Sequence, residues 1–120
     1  KLSKYKQVVD VANSVTVVDD LVTVLTQLID RRATGVFHVT NPGVMRHCDL
    51  IDLYRELVDT THSCEIITAE QLVERGLAAK ARSNCILSSQ RLVDLGITMR
   101  PIDVALRDAM VKYAAAAKSV

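Results

Sequence analysis

The stretch over residues 35–57 constrains the fold most, because it joins a β-rich run, a sharp break and an amphipathic pattern. Residues 36–40 are mainly β-branched or aromatic, and they end at Asn41-Pro42-Gly43, where proline fixes φ and glycine permits a positive φ. After this break, apolar residues recur at three- and four-residue spacing, which is typical of one helix face. The stretch therefore predicts a strand, a tight turn and a helix. In α/β proteins, ligands commonly bind at such loops.

The first third of the chain predicts extended structure followed by a helix. Residues 6–18 contain two β-branched runs and are predicted to be extended. Apolar spacing over residues 21–29 predicts a helix that ends near Arg31. Asp19 and Asp20 stand just before that apolar pattern, where they can cap the helix and suit the positive end of its dipole. This interpretation is favoured over a catalytic carboxylate pair.

The second half of the chain carries one strong local signal. Residues 64–67 predict another short strand. Thr68 and Gln71 have the spacing of a capping box, in which each side chain hydrogen-bonds the other residue's backbone amide. They predict a helix over residues 69–75 that Gly76 ends.

Two more helices complete the predicted pattern. One is short and spans residues 90–95, and the other begins after Pro101 and frays over residues 114–120. The whole sequence, residues 1–120, therefore predicts a single domain of the α/β class, with short strands and peripheral helices.

Composition and charge exclude several classes of function. The formal net charge is +1, so the chain lacks the broad basic face that nucleic-acid binding requires. Every apolar run is shorter than the ~18 residues that a membrane span needs. Cys48, Cys64 and Cys85 fit neither a CxxC nor a zinc-ligand spacing, so we expect free thiols in a reducing cytoplasm and no metal site.

The best candidate site is the polar connection over residues 77–84, which gathers Lys80, Arg82, Ser83 and Asn84. A guanidinium group can bind phosphate oxygens through two parallel hydrogen bonds, and an asparagine amide can bind a base or a sugar hydroxyl. A solvated loop without a ligand is the alternative, and spacing alone does not decide between the two.

Arg46 and His47 form a weaker candidate, because they follow the turn and lie near the predicted amino terminus of a helix. Polar groups in that position can reach an anion, although solvated surface is the favoured alternative. His38 is interpreted as a half-buried histidine within a strand rather than as a ligand or a base.

No cofactor site and no catalytic residue is predicted within this chain. The four glycines are too scattered to form a GxGxxG motif or a P-loop. Tyr113 and Lys118 are five residues apart, so they do not form the Tyr-x-x-x-Lys pair that can protonate a carbonyl.

Four segments, in the same order, resemble extended short-chain dehydrogenases that act on nucleotide sugars. Residues 14–21, SVTVVDDL, resemble the segment that opens the carboxyl-terminal part of those proteins, and residues 35–41, GVFHVTN, resemble their GxYHxT/N strand. Residues 82–92, RSNCILSSQRL, resemble their RxxN-x-x-LD-x-x-KL stretch, with Ser88 in place of the aspartate. Residues 95–101 resemble their ending. The subgroup that the chain resembles most is the dTDP-4-dehydrorhamnose reductase type.

The resemblance implies that the chain is the carboxyl-terminal, substrate-binding lobe of such an enzyme, with the Rossmann core absent. An amino-terminal Rossmann domain, outside this chain, would then hold NAD(P)H and the catalytic residues. Arg82, Ser83 and Asn84 map onto the family's loop before its LD motif, as contacts to a nucleotide-diphosphate sugar, and Lys80 and Arg46 complete the predicted site. The resemblance implies that the lobe orients a nucleotide-diphosphate deoxysugar for hydride transfer to its 4-keto group.

Other interpretations of the same fold stay open. One is a non-catalytic regulatory subunit, like that of methionine adenosyltransferase, and another is an isolated interaction module. A homodimer is also open, because a strand whose partner lies outside the chain would expose an edge. Since Lys1 is not an initiator methionine, we expect the chain to begin within a longer protein or to have been trimmed.

Overall fold

The computed structural model describes residues 2–118, which form a small α/β fold of short strands and helices. The strands are β1 (Gln7–Val9), β2 (Ala12–Asn13), β3 (Met45–Arg46) and β4 (Glu65–Ile67). The helices are α1 (Val18–Asp30), α2 (His47–Leu57), α3 (Ala69–Glu74), α4 (Gln90–Asp94) and α5 (Ile102–Lys118), and a 3₁₀ turn spans Leu2–Lys4.

The strands form two separate two-stranded sheets. β1 and β4 pair in parallel, with Val8 opposite Ile66, and β2 and β3 pair antiparallel, with Asn13 opposite Met45. Parallel strands usually lie inside larger sheets that are covered on both faces. Here Ile66 is exposed, so the parallel pair is an incompletely covered sheet.

Two small apolar clusters form the core. The first joins the start of α1 to β3 and α5 through Val17, Met45, Ile102 and Ala105. The second joins α1 to α4 and the residues after it, through Val24, Leu92 and Ile97. Neither cluster runs through the whole molecule, and the described residues measure 47 × 40 × 19 Å. The radius of gyration is 16.7 Å, whereas about 14 Å is expected for a compact domain of this length.

Asn41 connects the two ends of the first cluster through its buried side chain, which is 1% exposed. Its Oδ1 accepts a hydrogen bond from the Val17 amide at 2.8 Å, and its Nδ2 donates to Asp20 Oδ2 at 2.6 Å and to the Arg100 carbonyl at 3.0 Å. The next residue, Pro42, accepts from the amide of Ile102 at 2.9 Å. The break after residue 40 therefore fixes the starts of both α1 and α5.

Several local predictions are confirmed. The Thr68–Gln71 capping box is present in both directions and begins α3. α1 ends at Asp30 with Arg31 as its carboxyl-terminal cap, and the strand predicted over residues 64–67 is β4. The helix predicted after Pro101 is α5, which reaches Lys118 and buries Ala114. The fraying predicted from residue 114 is wrong over the described part of the tail, because α5 stays helical through Lys118; Ser119 and Val120 lie outside the described residues.

The strand predicted over residues 36–40 is wrong. That stretch joins neither ladder, and its carbonyl groups accept hydrogen bonds from side chains: Thr16 donates to Val39 at 2.6 Å, and Arg91 donates to Val36 at 2.6 Å. His38 is exposed, so its interpretation as half-buried is also wrong.

The side-chain cap predicted for α1 is wrong, whereas the predicted placement of Asp19 and Asp20 at the positive end of the helix dipole is confirmed. The helix begins at Val18, which was predicted to be extended, and Asp19 and Asp20 lie in its first turn, where they face the positive end of the helix dipole. Asp20 instead binds Arg100, with 2.7 Å between Oδ1 and Nη2, and Asp19 binds Lys112 at 2.8 Å. The Arg100 guanidinium beside Asp20 lowers the pKa of that carboxyl.

We expect Asn41→Ala to lower the free energy of unfolding by roughly 2–4 kcal/mol, because it removes the three hydrogen bonds of a buried side chain, one of them to a carboxylate. Urea denaturation measures this change. Asn84→Ala is the matched control, since Asn84 is exposed, and it should stay within about 0.5 kcal/mol of the parent. Equal effects of the two substitutions would contradict the role given to Asn41.

Glu65 should make stability depend on acid. Two hydrogen bonds from Arg75, at 2.8 and 2.9 Å, and one from Gln7 lower the pKa of the Glu65 carboxyl from 4.5 to about 2. Its stabilising effect is therefore complete above pH 4.5 and is lost as the pH falls toward 2. The parent should lose unfolding free energy over that interval relative to Glu65→Gln, as followed by urea denaturation at each pH. The difference should shrink in high salt, because the pair is half exposed.

Parallel pH curves for the parent and Glu65→Gln would show that the ion pair adds nothing to stability.

Candidate functional site

A cleft of about 630 Å³ opens beside the β1–β2 segment, α3 and the connection that follows α3. Its wall combines an apolar surface with a few polar groups, as small-molecule sites usually do. The apolar part includes Val8, Val9, Val11, Leu72 and Leu77, and the polar part includes Asn13, Ser14, His47, Arg82, Ser83 and Asn84.

Side chains of the β2 segment anchor one end of this connection. Asn13 Oδ1 accepts a hydrogen bond from the Cys85 amide at 2.7 Å, and the Ser14 amide donates to the Cys85 carbonyl at 2.8 Å. Ser14 Oγ accepts from the Leu87 amide at 2.7 Å. These bonds fix the backbone on the carboxyl-terminal side of Asn84.

α3 anchors the other end. Its capping box sets where the helix begins, and the amide of Leu77 returns to the carbonyl of Leu72 at 3.1 Å, which closes the helix beyond Gly76. The ion pair between Arg75 and Glu65 ties the end of α3 to β4. The segment over residues 78–84 is thus held at both ends, and residues 79–84 are exposed.

Arg82, Ser83 and Asn84, which the sequence predicted as site residues, are brought together on the wall of this cleft. All three are exposed, and within residues 2–118 their side chains have no hydrogen-bond or ion-pair partner. By contrast, the guanidinium groups of Arg75 and Arg100 form ion pairs with carboxylates. Arg82 therefore keeps all its donors available for an anion.

The other two predicted site residues lie elsewhere. Lys80 is exposed on the same connection but does not line the cleft. Arg46 also lies off its wall, and its guanidinium binds Asp10, with 2.5 Å between Nη2 and Oδ2. This neighbouring guanidinium is the main cause of the lowered pKa of the Asp10 carboxyl.

His47 lines the cleft, although the sequence analysis paired it with Arg46 as a weaker candidate and carried only Arg46 into the predicted site. Its Nδ1 lies 2.7 Å from the carbonyl oxygen of Val9, so the end of β1 orients the ring. The position just after a turn was a visible signal in the sequence, but the contact with a residue 38 positions away was not.

A second groove, of about 480 Å³, lies between α2 and α5. It is lined by Ser3, Leu50, Ile51, Tyr54, Leu106, Ala109, Met110 and Tyr113. This groove has no charged side chain on its wall, so it is less suited to a phosphorylated ligand than the cleft that contains Arg82.

Two other kinds of site are absent from residues 2–118. No three His, Cys, Asp or Glu side chains lie close enough together there to hold a metal ion, and Cys48, Cys64 and Cys85 are free thiols. None of the helices in that range is both long and apolar enough to cross a membrane.

Comparison with known proteins connects this fold to enzymes of rhamnose synthesis. The chain is 28% identical over 113 residues to a bifunctional dTDP-4-dehydrorhamnose 3,5-epimerase/dTDP-4-dehydrorhamnose reductase of Arabidopsis thaliana. The match covers 94% of this chain and 36% of that protein. The crystal structure of a UDP-rhamnose synthase from Acanthamoeba polyphaga mimivirus superposes with a TM-score of 0.80 at 25% identity, over 92% of this chain and 38% of the viral one.

The chain is homologous to the carboxyl-terminal part of dTDP-4-dehydrorhamnose reductase. A further relative, a trifunctional UDP-glucose 4,6-dehydratase/UDP-4-keto-6-deoxy-D-glucose 3,5-epimerase/UDP-4-keto-L-rhamnose-reductase of Arabidopsis thaliana, is 27% identical over 94% of this chain and 16% of its own length. The chain thus spans only 36% of the bifunctional relative and 16% of the trifunctional one. No family model matches the sequence.

We expect Ser14→Ala to loosen the connection, because the Leu87 amide loses its acceptor. The cost should be about 1 kcal/mol of unfolding free energy. Amide hydrogen exchange over residues 83–88 should quicken, while exchange in α5 changes little. Ser63→Ala, at an exposed serine, is the control. Unchanged exchange over residues 83–88 would contradict the anchoring role of Ser14.

Proposed function

We propose that this chain is the substrate-binding lobe of an extended short-chain dehydrogenase that reduces the 4-keto group of a nucleotide-diphosphate deoxysugar. The observation that carries the proposal is the partner-free Arg82 guanidinium, with Ser83 and Asn84 beside it, on the cleft wall within residues 2–118. The relatives support the class of substrate, since their names describe dTDP- and UDP-linked sugars.

The chemistry of the cleft suits such a ligand. A diphosphate carries oxygens that a guanidinium fork binds through two parallel hydrogen bonds. Asn84 can both donate to and accept from a base or a sugar hydroxyl. The apolar part of the wall, with Val8, Leu72 and Leu77, offers a surface for the flat face of a base.

A dinucleotide cofactor does not fit the residues of this chain. Gly35, Gly43, Gly76 and Gly96 all have positive φ, but each lies at a separate turn, so they form no common phosphate cradle. We propose that NAD(P)H, which would supply the hydride, binds to a Rossmann domain outside the chain. The residues of this lobe would bind and orient the sugar and exclude water from it, without moving a proton.

The shape of the lobe supports a missing partner domain. The molecule is only 19 Å thick, and its parallel sheet has two strands. α1 exposes apolar side chains at four- and three-residue spacing: Val18, Val22, Leu25 and Ile29. Exposed apolar stripes of this kind are usually covered by another domain or subunit. Because the relatives are much longer than this chain, a Rossmann domain in the same polypeptide is the partner that we propose.

Location in the cytoplasm and formation of a homodimer stay predictions. So does the alternative of a non-catalytic regulatory subunit, and no particular contact in the cleft favours it over substrate binding.

We expect Arg82→Gln to weaken binding of UDP-glucose and UDP by about tenfold or more, because a charge-assisted hydrogen bond to phosphate is lost. Isothermal titration calorimetry on the natural gene product measures this change. Arg32→Gln is the matched control, since Arg32 is also exposed and carries no ion pair within residues 2–118. If Arg82→Gln and Arg32→Gln bind both ligands as tightly as the parent, Arg82 has been assigned wrongly.

A further inference from the structure

The side chain of His47 is held in one orientation at the edge of the cleft. It is the first residue of α2, and its ring is half-buried. Its Nδ1 lies 2.7 Å from the carbonyl oxygen of Val9, the last residue of β1. The amide of Asp10, one residue further, donates to the Ile67 carbonyl at 2.8 Å, so the sheet itself fixes this carbonyl.

This contact determines which ring nitrogen carries the proton. A carbonyl oxygen can only accept a hydrogen bond, so Nδ1 of His47 must donate. In the neutral ring, Nε2 is then unprotonated and presents a lone pair. The backbone of β1 thus makes Nε2 a hydrogen-bond acceptor.

Nε2 of His47 is also available. Within residues 2–118 it has no hydrogen-bond partner. It is not among the buried nitrogen atoms that lack a partner in that range, since the one such atom is Nε2 of His62. The neighbouring Arg46 and Asp10 satisfy each other and leave the ring free.

Two of the side-chain acceptors on this wall are already used, and Nε2 of His47 is among the acceptors that stay available there, with the side-chain oxygens of Ser83 and Asn84. Asn13 Oδ1 is used by the Cys85 amide, and Ser14 Oγ is used by the Leu87 amide. Arg82 can only donate. A nucleotide-diphosphate sugar needs donors for its phosphates, but its hydroxyl groups and the imide N–H of its base need acceptors as well.

We propose that Nε2 of His47 accepts a hydrogen bond from a hydroxyl or imide N–H group of the nucleotide-diphosphate sugar, and so positions it in the cleft. The inference rests on the proposed function, and it makes His47 a positioning residue with no part in proton transfer. Arg82 would bind the phosphates, while His47 would recognise a donor group elsewhere on the same ligand.

Two substitutions separate the roles of the two ring nitrogens. The amide nitrogen of His47→Asn can replace Nδ1 and keep the bond to Val9, but nothing replaces Nε2. The amide of His47→Gln reaches the position of Nε2 and loses the bond to Val9. We expect His47→Asn to weaken binding about three- to tenfold, with unchanged thermal stability, and His47→Gln to bind more tightly than His47→Asn.

Calorimetric titration of the natural gene product with UDP and with UDP-glucose tests this. Equal weakening of both ligands by His47→Asn places the donor on the nucleoside diphosphate, and weakening of UDP-glucose alone places it on the sugar. Either result supports the proposal. In the free parent, ¹⁵N spectra of the ring should show Nε2 unprotonated, and the ligand should move that resonance.

The remaining outcomes tell the two hypotheses apart. If His47→Asn binds both ligands like the parent while Arg82→Gln does not, the inference about His47 is wrong and the proposed function stands. If binding depends on His47 but not on Arg82, His47 is supported and the assignment of Arg82 is overturned. If the parent binds neither ligand, both are overturned.

Discussion

The buried amide of Asn41 is the interaction on which the rest of the structure depends. It satisfies the Val17 amide at the start of α1, a carboxylate in the first turn of that helix and the carbonyl of Arg100. Few apolar side chains are buried in this thin molecule. The hydrogen bonds of Asn41 therefore hold together the starts of α1 and α5, which a larger core would hold by apolar packing. Because all these groups are mutually satisfied, the connection before α5 has one position relative to α1.

Hydrogen bonds, rather than apolar packing, also hold the walls of the cleft in place. Its walls are fixed by backbone and side-chain hydrogen bonds at their ends, through Ser14 on one side and the capping box of α3 on the other. The candidate site residues Arg82, Ser83 and Asn84 lie between these anchors, where their side chains are exposed and have no partner within the described residues. Such an arrangement leaves charged groups free for a ligand while the backbone that carries them stays in place.

Sequence reasoning succeeded where the physical cause is local. The capping box of Thr68, the end of α1 and the short strand β4 depend on residues within a few positions of one another. It failed where the partner is distant. Asp20 binds Arg100, 80 positions later, and carbonyl groups of residues 36–40 accept hydrogen bonds from side chains of other segments instead of joining a sheet. For the site, the grouping of Arg82 with its neighbours could be predicted, because they are adjacent in sequence.

The parallel pairing of β1 with β4 has a consequence for how the chain folds. Gln7 and Glu65 are 58 positions apart, so the first bond of this ladder forms only after a long loop has closed, which costs conformational entropy. A three-residue strand forms few backbone hydrogen bonds to offset that entropy. The hydrogen bonds within α1 and α5, by contrast, join residues that are close in sequence. We therefore expect the helices to form before β1 pairs with β4, so that the cleft is completed late in folding.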